Sequence, residues 1–216
     1  MRALTYYIGT TIDGYIAGPG GETDCFPLSG DVLGHIAAEY PETLPTTARA
    51  HLGVDAPNRR FDTVVMGRAT YQPAVDAGIA EPYAHLRQHI VSTTIAGAEH
   101  DPLRLVRELK AQDGLGIWLC GGARVAGAVL PEIDELVVKR YPVVAGAGIP
   151  LFAGPYEPVS WTLTGHTTFA SGAAIMTYAR TPHRVGGESA CSSAAGATAG
   201  PTAGATADVD LVPRLS

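Results

Sequence analysis

The stretch Ile117–Leu130, IWLCGGARVAGAVL, decides the fold. Its apolar run from Ile117 to Cys120 reads as a short buried strand, the pair Gly121-Gly122 follows at once, and small residues at helical spacing come next. In an α/β protein that order brings backbone amides against a phosphate. The glycines let the main chain approach, and the new helix offers unpaired N–H groups at a positive dipole end. Arg124 adds a charge-assisted contact at the same corner. A Gly-Gly pair between strand and helix also serves as a plain tight turn, so the rest of the chain must carry the phosphate reading.

Upstream, residues 3–10 (ALTYYIGT) form a first strand, and a long glycine-rich loop with an Asp13-Gly14 turn separates it from a helix beginning at Asp31. That helix puts Val32, Leu33, Ile36 and Ala37 on one face and ends before Pro41. A short helix is expected near Thr47–Leu52. Phe61–Met66 is a strand, and Gly67-Arg68-Ala69-Thr70-Tyr71 opens a helix. His89–Ser92 is a further strand; Asp101 caps a helix with Pro102 at its first position. Downstream, Asp134–Tyr141 is a strand, VVAGAGIPLF a glycine-rich loop, and segments 159–169 and 173–180 a closing antiparallel hairpin. Strands alternating with helices predict an α/β fold with a mainly parallel central sheet covered on both faces. From Thr181 the sequence turns Ala/Gly/Ser/Thr-rich. Such a composition cannot offset the entropy of ordering, so 181–216 is expected to be a disordered tail behind a single domain, 1–180.

The 216 residues carry 46% hydrophobic side chains, enough for one good core, and a formal charge of −6. Basic residues are scattered rather than striped, which argues against nucleic acid as a partner. No apolar run has the length of a membrane span, and no signal peptide precedes the first strand. The odd, widely spaced set Cys25, Cys120 and Cys191 fits a reducing cytoplasm, with Cys120 a small hydrophobe in its strand.

Three strand ends share one design: Gly67-Arg68 to Thr70, Ser92-Thr93-Thr94, and Gly121-Gly122 to Arg124. Ligands of open parallel sheets bind beyond the carboxyl ends of the strands. Two arginines, several hydroxyls and two helix N-termini at that edge suit a dinucleotide. Arg68 with Ser92 or Thr93 would read the extra phosphate that distinguishes NADPH from NADH. Neither the G-x-G-x-x-G fingerprint nor a P-loop is present, and no G-x-S-x-G or Cys/His set marks a nucleophile. His85 and His89 lack a third ligand, so no metal site is assigned.

The segments TTIDGYIAGPGG, VVMGRATYQP and IWLCGGARVAGAVLPEIDELVVKRYPVVAGAGIPLF together resemble the dihydrofolate reductase-like family, in the branch that includes the C-terminal reductase domain of bacterial riboflavin biosynthesis. The resemblance runs from about residue 2 to residue 180. It implies a three-layer dihydrofolate reductase-like fold, NADPH as cofactor and a homodimer. By position it sets Gly121 and Gly122 beneath the cofactor diphosphate, with Arg124 and Val125 on the helix that caps it. Gly67, Arg68 and Thr70 match the turn gripping the nucleotide phosphates, and Ser92 and Thr93 the place near the adenosine ribose phosphate. The Ile12–Gly20 loop, with Asp13 its most distinctive member, matches the loop closing over nicotinamide and substrate.

The chain also departs from that pattern. Asp31 is the expected proton source, with Asp24 and Glu39 as alternatives, yet none sits in a recognisable motif. The zinc ligands of the deaminase to which the riboflavin enzyme is commonly fused are absent. Lys139 and Arg140 are the basic residues open to a substrate phosphate, though only one of two neighbours on a strand can face it. The expected activity is hydride transfer to a small heterocycle of pterin or aminopyrimidine type, such as 5-amino-6-(5-phosphoribosylamino)uracil. The alternative is a non-catalytic nucleotide-binding protein.

Overall fold

In the computed structural model, which describes residues 1–27 and 30–181, the alternating runs assemble into one seven-stranded sheet and a small two-stranded one. The strands are β1 (Leu4–Thr10), β2 (Tyr15–Ala17), β3 (Phe61–Gly67), β4 (Arg87–Val91), β5 (Gly116–Gly121), β6 (Glu135–Arg140), β7 (Ile149–Pro150), β8 (Trp161–Thr168) and β9 (Ala174–Arg180). The helices are α1 (Asp31–Glu39), α2 (Thr46–Leu52), α3 (Arg68–Asp76), α4 (Pro102–Lys110) and α5 (Ala123–Ala128). The large sheet runs β4-β3-β5-β1-β6-β9-β8. Its first five strands are mutually parallel, and β9 and β8 close it antiparallel.

Strand alternation sorts the side chains onto two faces. Leu4, Tyr6, Ile117, Leu119, Leu136 and Val138 pack beneath Leu105, Val106 and Leu109 of α4 and Val125 and Ala126 of α5. Tyr7, Trp118, Val137 and Ile175 point the other way, beneath Val32 and Ile36 of α1. Each such fully buried side chain contributes about 1.5–3 kcal/mol, so both helical layers are held by burial rather than by helix propensity. Asp101 caps α4 as its position implies, accepting from the Arg104 amide at 3.0 Å.

Two expectations change. The 11–30 loop is not all irregular: Tyr15–Ala17 pairs antiparallel with Ile149–Pro150, so the glycine-rich loop after β6 holds it. The helix expected near Thr47 starts at Thr46 and follows a 3₁₀ turn, Pro41–Thr43. The expected disordered tail lies, from residue 182 on, outside the described residues. Because β1, β3, β4, β5 and β6 are parallel, their carboxyl ends, Thr10, Gly67, Val91, Gly121 and Arg140, share one edge.

Candidate active site at the carboxyl edge of the sheet

Two of the three strand-end turns abut. A β-carbon on Gly67 would stand 3.1 Å from Val125 Cγ2 and 3.4 Å from the Gly122 amide, and one on Gly121 would stand 3.3 Å from the Thr70 hydroxyl. Gly121 also has φ +138°, a backbone region that side-chain-bearing residues rarely enter. The Gly121-Gly122 peptide is cis. Gly67, Thr70, Gly121, Gly122 and Val125 therefore form one continuous surface.

The third turn joins through an arginine. Arg68 Nη1 donates to the Thr94 hydroxyl at 3.1 Å. Ser92 is buried, and its Oγ accepts from the amides of Thr94 and Ile95, both at 3.1 Å. Ser92 thus shapes the turn, and Thr94 rather than the exposed Thr93 meets the guanidinium. Arg124 is exposed on the first turn of α5.

The two aspartates have different work. Asp13 is exposed and accepts from the amides of Ala145 (3.1 Å) and Gly146 (2.8 Å), tying the loop after β1 to the loop after β6. The Thr11 hydroxyl and then these amides hold its carboxyl down at about 2. Asp31 accepts from the Ser171 amide at 3.0 Å and from the Val32 amide at 2.8 Å. The Ser171 contacts lead in lowering its carboxyl below the usual value. A donor needs a raised pKa, and both Asp31 oxygens are committed to backbone amides that favour the anion. Glu39 pairs with Arg60 at 3.4 Å across an exposed surface, and Asp24 is exposed in the segment after β2.

Residues 75–175 match the family model of the RibD C-terminal domain. Among solved structures, a Shewanella sp. PV-4 protein assigned provisionally to riboflavin biosynthesis superposes with a TM-score of 0.60 at 23% identity, covering 83% of this chain and 99% of that one. The Thermotoga maritima diaminohydroxyphosphoribosylaminopyrimidine deaminase/5-amino-6-(5-phosphoribosylamino)uracil reductase superposes with 0.58 at 14% identity, over 83% of this chain. Over residues 75–175 the chain is similar to the RibD C-terminal domain. It spans 57% of the length of the Thermotoga protein. Two Bacillus subtilis (strain 168) relatives, both uncharacterized, align over most of their length. YwjB is 27% identical over 70% of this chain and 83% of its own length, and YyaP 22% over 82% and 95%.

The donors at the carboxyl edge suit a polyanion. No side chain caps α3 or α5, so their leading amides have no side-chain acceptor, and Arg68, Thr70, Thr94 and Arg124 surround them. Among the described residues no cluster of three His, Cys, Asp or Glu is placed to hold a metal ion, and no helix is long and apolar enough to cross a membrane. His85 precedes β4 and its Nε2 lies 2.8 Å from the Glu42 carbonyl oxygen, while His89 lies on β4 itself.

Sequence reasoning missed one group and under-read another. Tyr83, from the segment before β4, stands edge-on to Trp118 with ring centroids 4.9 Å apart. Lys139 has its Nζ 3.9 Å from the Tyr7 ring centroid, on the α1 side of the sheet, while Arg140 is exposed. Strand alternation alone gave the side of Lys139; only the fold gave its neighbours.

Proposed function

We propose that the protein is a cytoplasmic NADPH-dependent reductase acting on a small heterocyclic substrate. The observation that carries the reading is the meeting of three strand-end turns, with Thr70 against Gly121 and Arg68 against Thr94. Gly67, Gly121, Gly122 and Val125 would bring main-chain amides to the diphosphate, and Thr70 and Arg124 would bond its oxygens. Arg68, with Thr94 and the turn shaped by Ser92 and Thr93, would take the ribose phosphate. The bound coenzyme supplies the hydride; the chain supplies orientation, charge and exclusion of water. Asp13 serves here by holding the loop that borders the substrate side rather than by moving protons. A pterin or aminopyrimidine, including 5-amino-6-(5-phosphoribosylamino)uracil, is the proposed substrate class.

The edge strand β8 supports a homodimer as the working form. Seven of its residues in sequence, Thr162 to Thr168, include no Asp, Glu, Lys or Arg, and Leu163 is 51% exposed. Light scattering on the purified protein tests that state.

One observation favours a second reading, a nucleotide-binding protein without catalysis: neither Asp13 nor Asp31 is poised to give a proton. NADPH titration followed by its consumption with pterins, aminopyrimidines and simple carbonyl compounds separates the two. Binding with turnover supports the reductase; binding without turnover across the panel supports the alternative; no binding ends both.

A further inference from the structure

With both aspartates committed to backbone amides, a reduction at this edge needs another acid. Lys139 lies at the carboxyl end of β6, paired in register with Gly9 of β1 and Ile175 of β9. Its side chain points to the α1 face, where its ammonium lies over Tyr7 of β1 and beside Cys120 of β5. Cys120 directly precedes Gly121, so the ammonium stands on the α1 face of the same carboxyl edge at which the glycine pair lies. Lys139, Cys120 and Tyr83 all keep partial exposure. Among the described residues the ammonium has no ion-pair partner, whereas Lys110, the only other lysine in the sequence, is paired with Asp134 at 2.7 Å.

We propose that the Lys139 ammonium is the proton donor of the reduction, giving its proton to the nitrogen or oxygen of the substrate bond being reduced. This rests on the reductase reading above. The electrophilic carbon of a C=N or C=O group takes a hydride from the reduced coenzyme, and the π pair moves to the heteroatom. That pair takes the proton of Lys139. The substrate gains two electrons and two hydrogens, the coenzyme is left oxidised, and the neutral amine recovers a proton from water.

The surroundings suit the task. Burial, only partly opposed by Cys120, brings the Lys139 amine down to about 8, which leaves it charged at neutral pH yet ready to release a proton. The titratable groups facing it, Cys120 and Tyr7, stay neutral there: burial pushes the thiol up to about 11 and the phenol well above its usual range.

The presence of two lysines only makes the test direct. Reductive ¹³C-methylation of the ligand-free protein gives one resonance per lysine, assigned by its loss in Lys139→Met. A Lys139 midpoint near 8 supports the proposal, and one at the ordinary lysine value of about 10.4 overturns it. NADPH affinity is then measured for the parent, Lys139→Met and Lys139→Arg, followed by substrate reduction. Unchanged affinity with a rate loss of about 100-fold or more in both variants supports proton donation. Full turnover in Lys139→Arg overturns it, because a guanidinium keeps its charge but does not release its proton. Full turnover in Lys139→Met overturns it too, while leaving the reductase reading intact. A parent protein without NADPH affinity sinks that reading instead, whatever the lysine titration gives.

Discussion

Arg68 donates a hydrogen bond to Thr94 across 3.1 Å, joining the turn that opens α3 to the turn that ends β4. A guanidinium so placed, on the exposed lip of the edge, stands between the two turns proposed to hold the ribose phosphate. Arg68→Ala should therefore weaken NADPH by about 10- to 100-fold, the loss of one charged hydrogen-bonding partner, and leave NADH nearly unchanged. Fluorescence titration with both coenzymes measures the two ratios, and an equal loss for both removes the phosphate-reading role.

Gly127 of α5 has no room for a side chain. A β-carbon there would lie 1.9 Å from the Ala153 carbonyl oxygen, and that strand of backbone is itself fixed by the Ala153 amide donating to Ala123 at 3.0 Å. Alanine would gain about 1 kcal/mol of helix propensity and meet an overpacking cost of about 3 kcal/mol, so a net loss near 2 kcal/mol is expected for Gly127→Ala. Chemical denaturation measures it. Unchanged stability would mean that α5 and the 151–154 segment can separate freely, which the packing of Leu151 and Phe152 on the core opposes.

The Asp13 carboxyl has a pH signature of defined sign. Its folded value of about 2 lies below the ordinary value, so it stabilises the fold above about pH 4 and loses that contribution as the pH falls toward 2. Asp13→Asn should lower the melting temperature at pH 7, and the gap from the parent should close between pH 4 and pH 2. A gap that widens on acidification would contradict the contacts to Ala145 and Gly146.

The strands and most helices were legible because their signals are local. Period-two runs such as Leu4–Thr10, the Asp101-Pro102 start and the Gly121-Gly122 break each act within a few residues. Tyr15–Ala17 was not, since a strand of 3 residues exists only through its pairing with Ile149–Pro150. The same limit governs the acids. Whether Asp31 holds or releases a proton depends on the Ser171 amide, 140 residues along the chain, which no spacing rule near Asp31 encodes. Thr94 was passed over for Thr93 because the Ser92 hydroxyl, by capping two amides, decides which of them turns toward Arg68.

Glu42 shows a surface-type residue turned to structural use, and it carries the last prediction. It lies in the 3₁₀ turn after α1 with no exposure, and its Oε1 accepts from the amides of Arg60 (2.6 Å) and Phe61 (3.0 Å) at the start of β3. The carboxylate is what joins the α1 layer to the strand leading to Gly67. Glu42→Ala would leave two amides at that junction without their acceptor and open a small void, at a cost of about 3 kcal/mol. Glu42→Gln keeps an oxygen for both amides, so its loss should be clearly smaller, about 1 kcal/mol. Urea titration of the two variants compares them directly. Equal losses would show that the carboxylate charge, and not the acceptor oxygen, holds this site; a small loss in glutamine beside a large one in alanine would show that the acceptor fixes the approach of α1 to β3, and with it the strand end on which Gly67 and Arg68 stand.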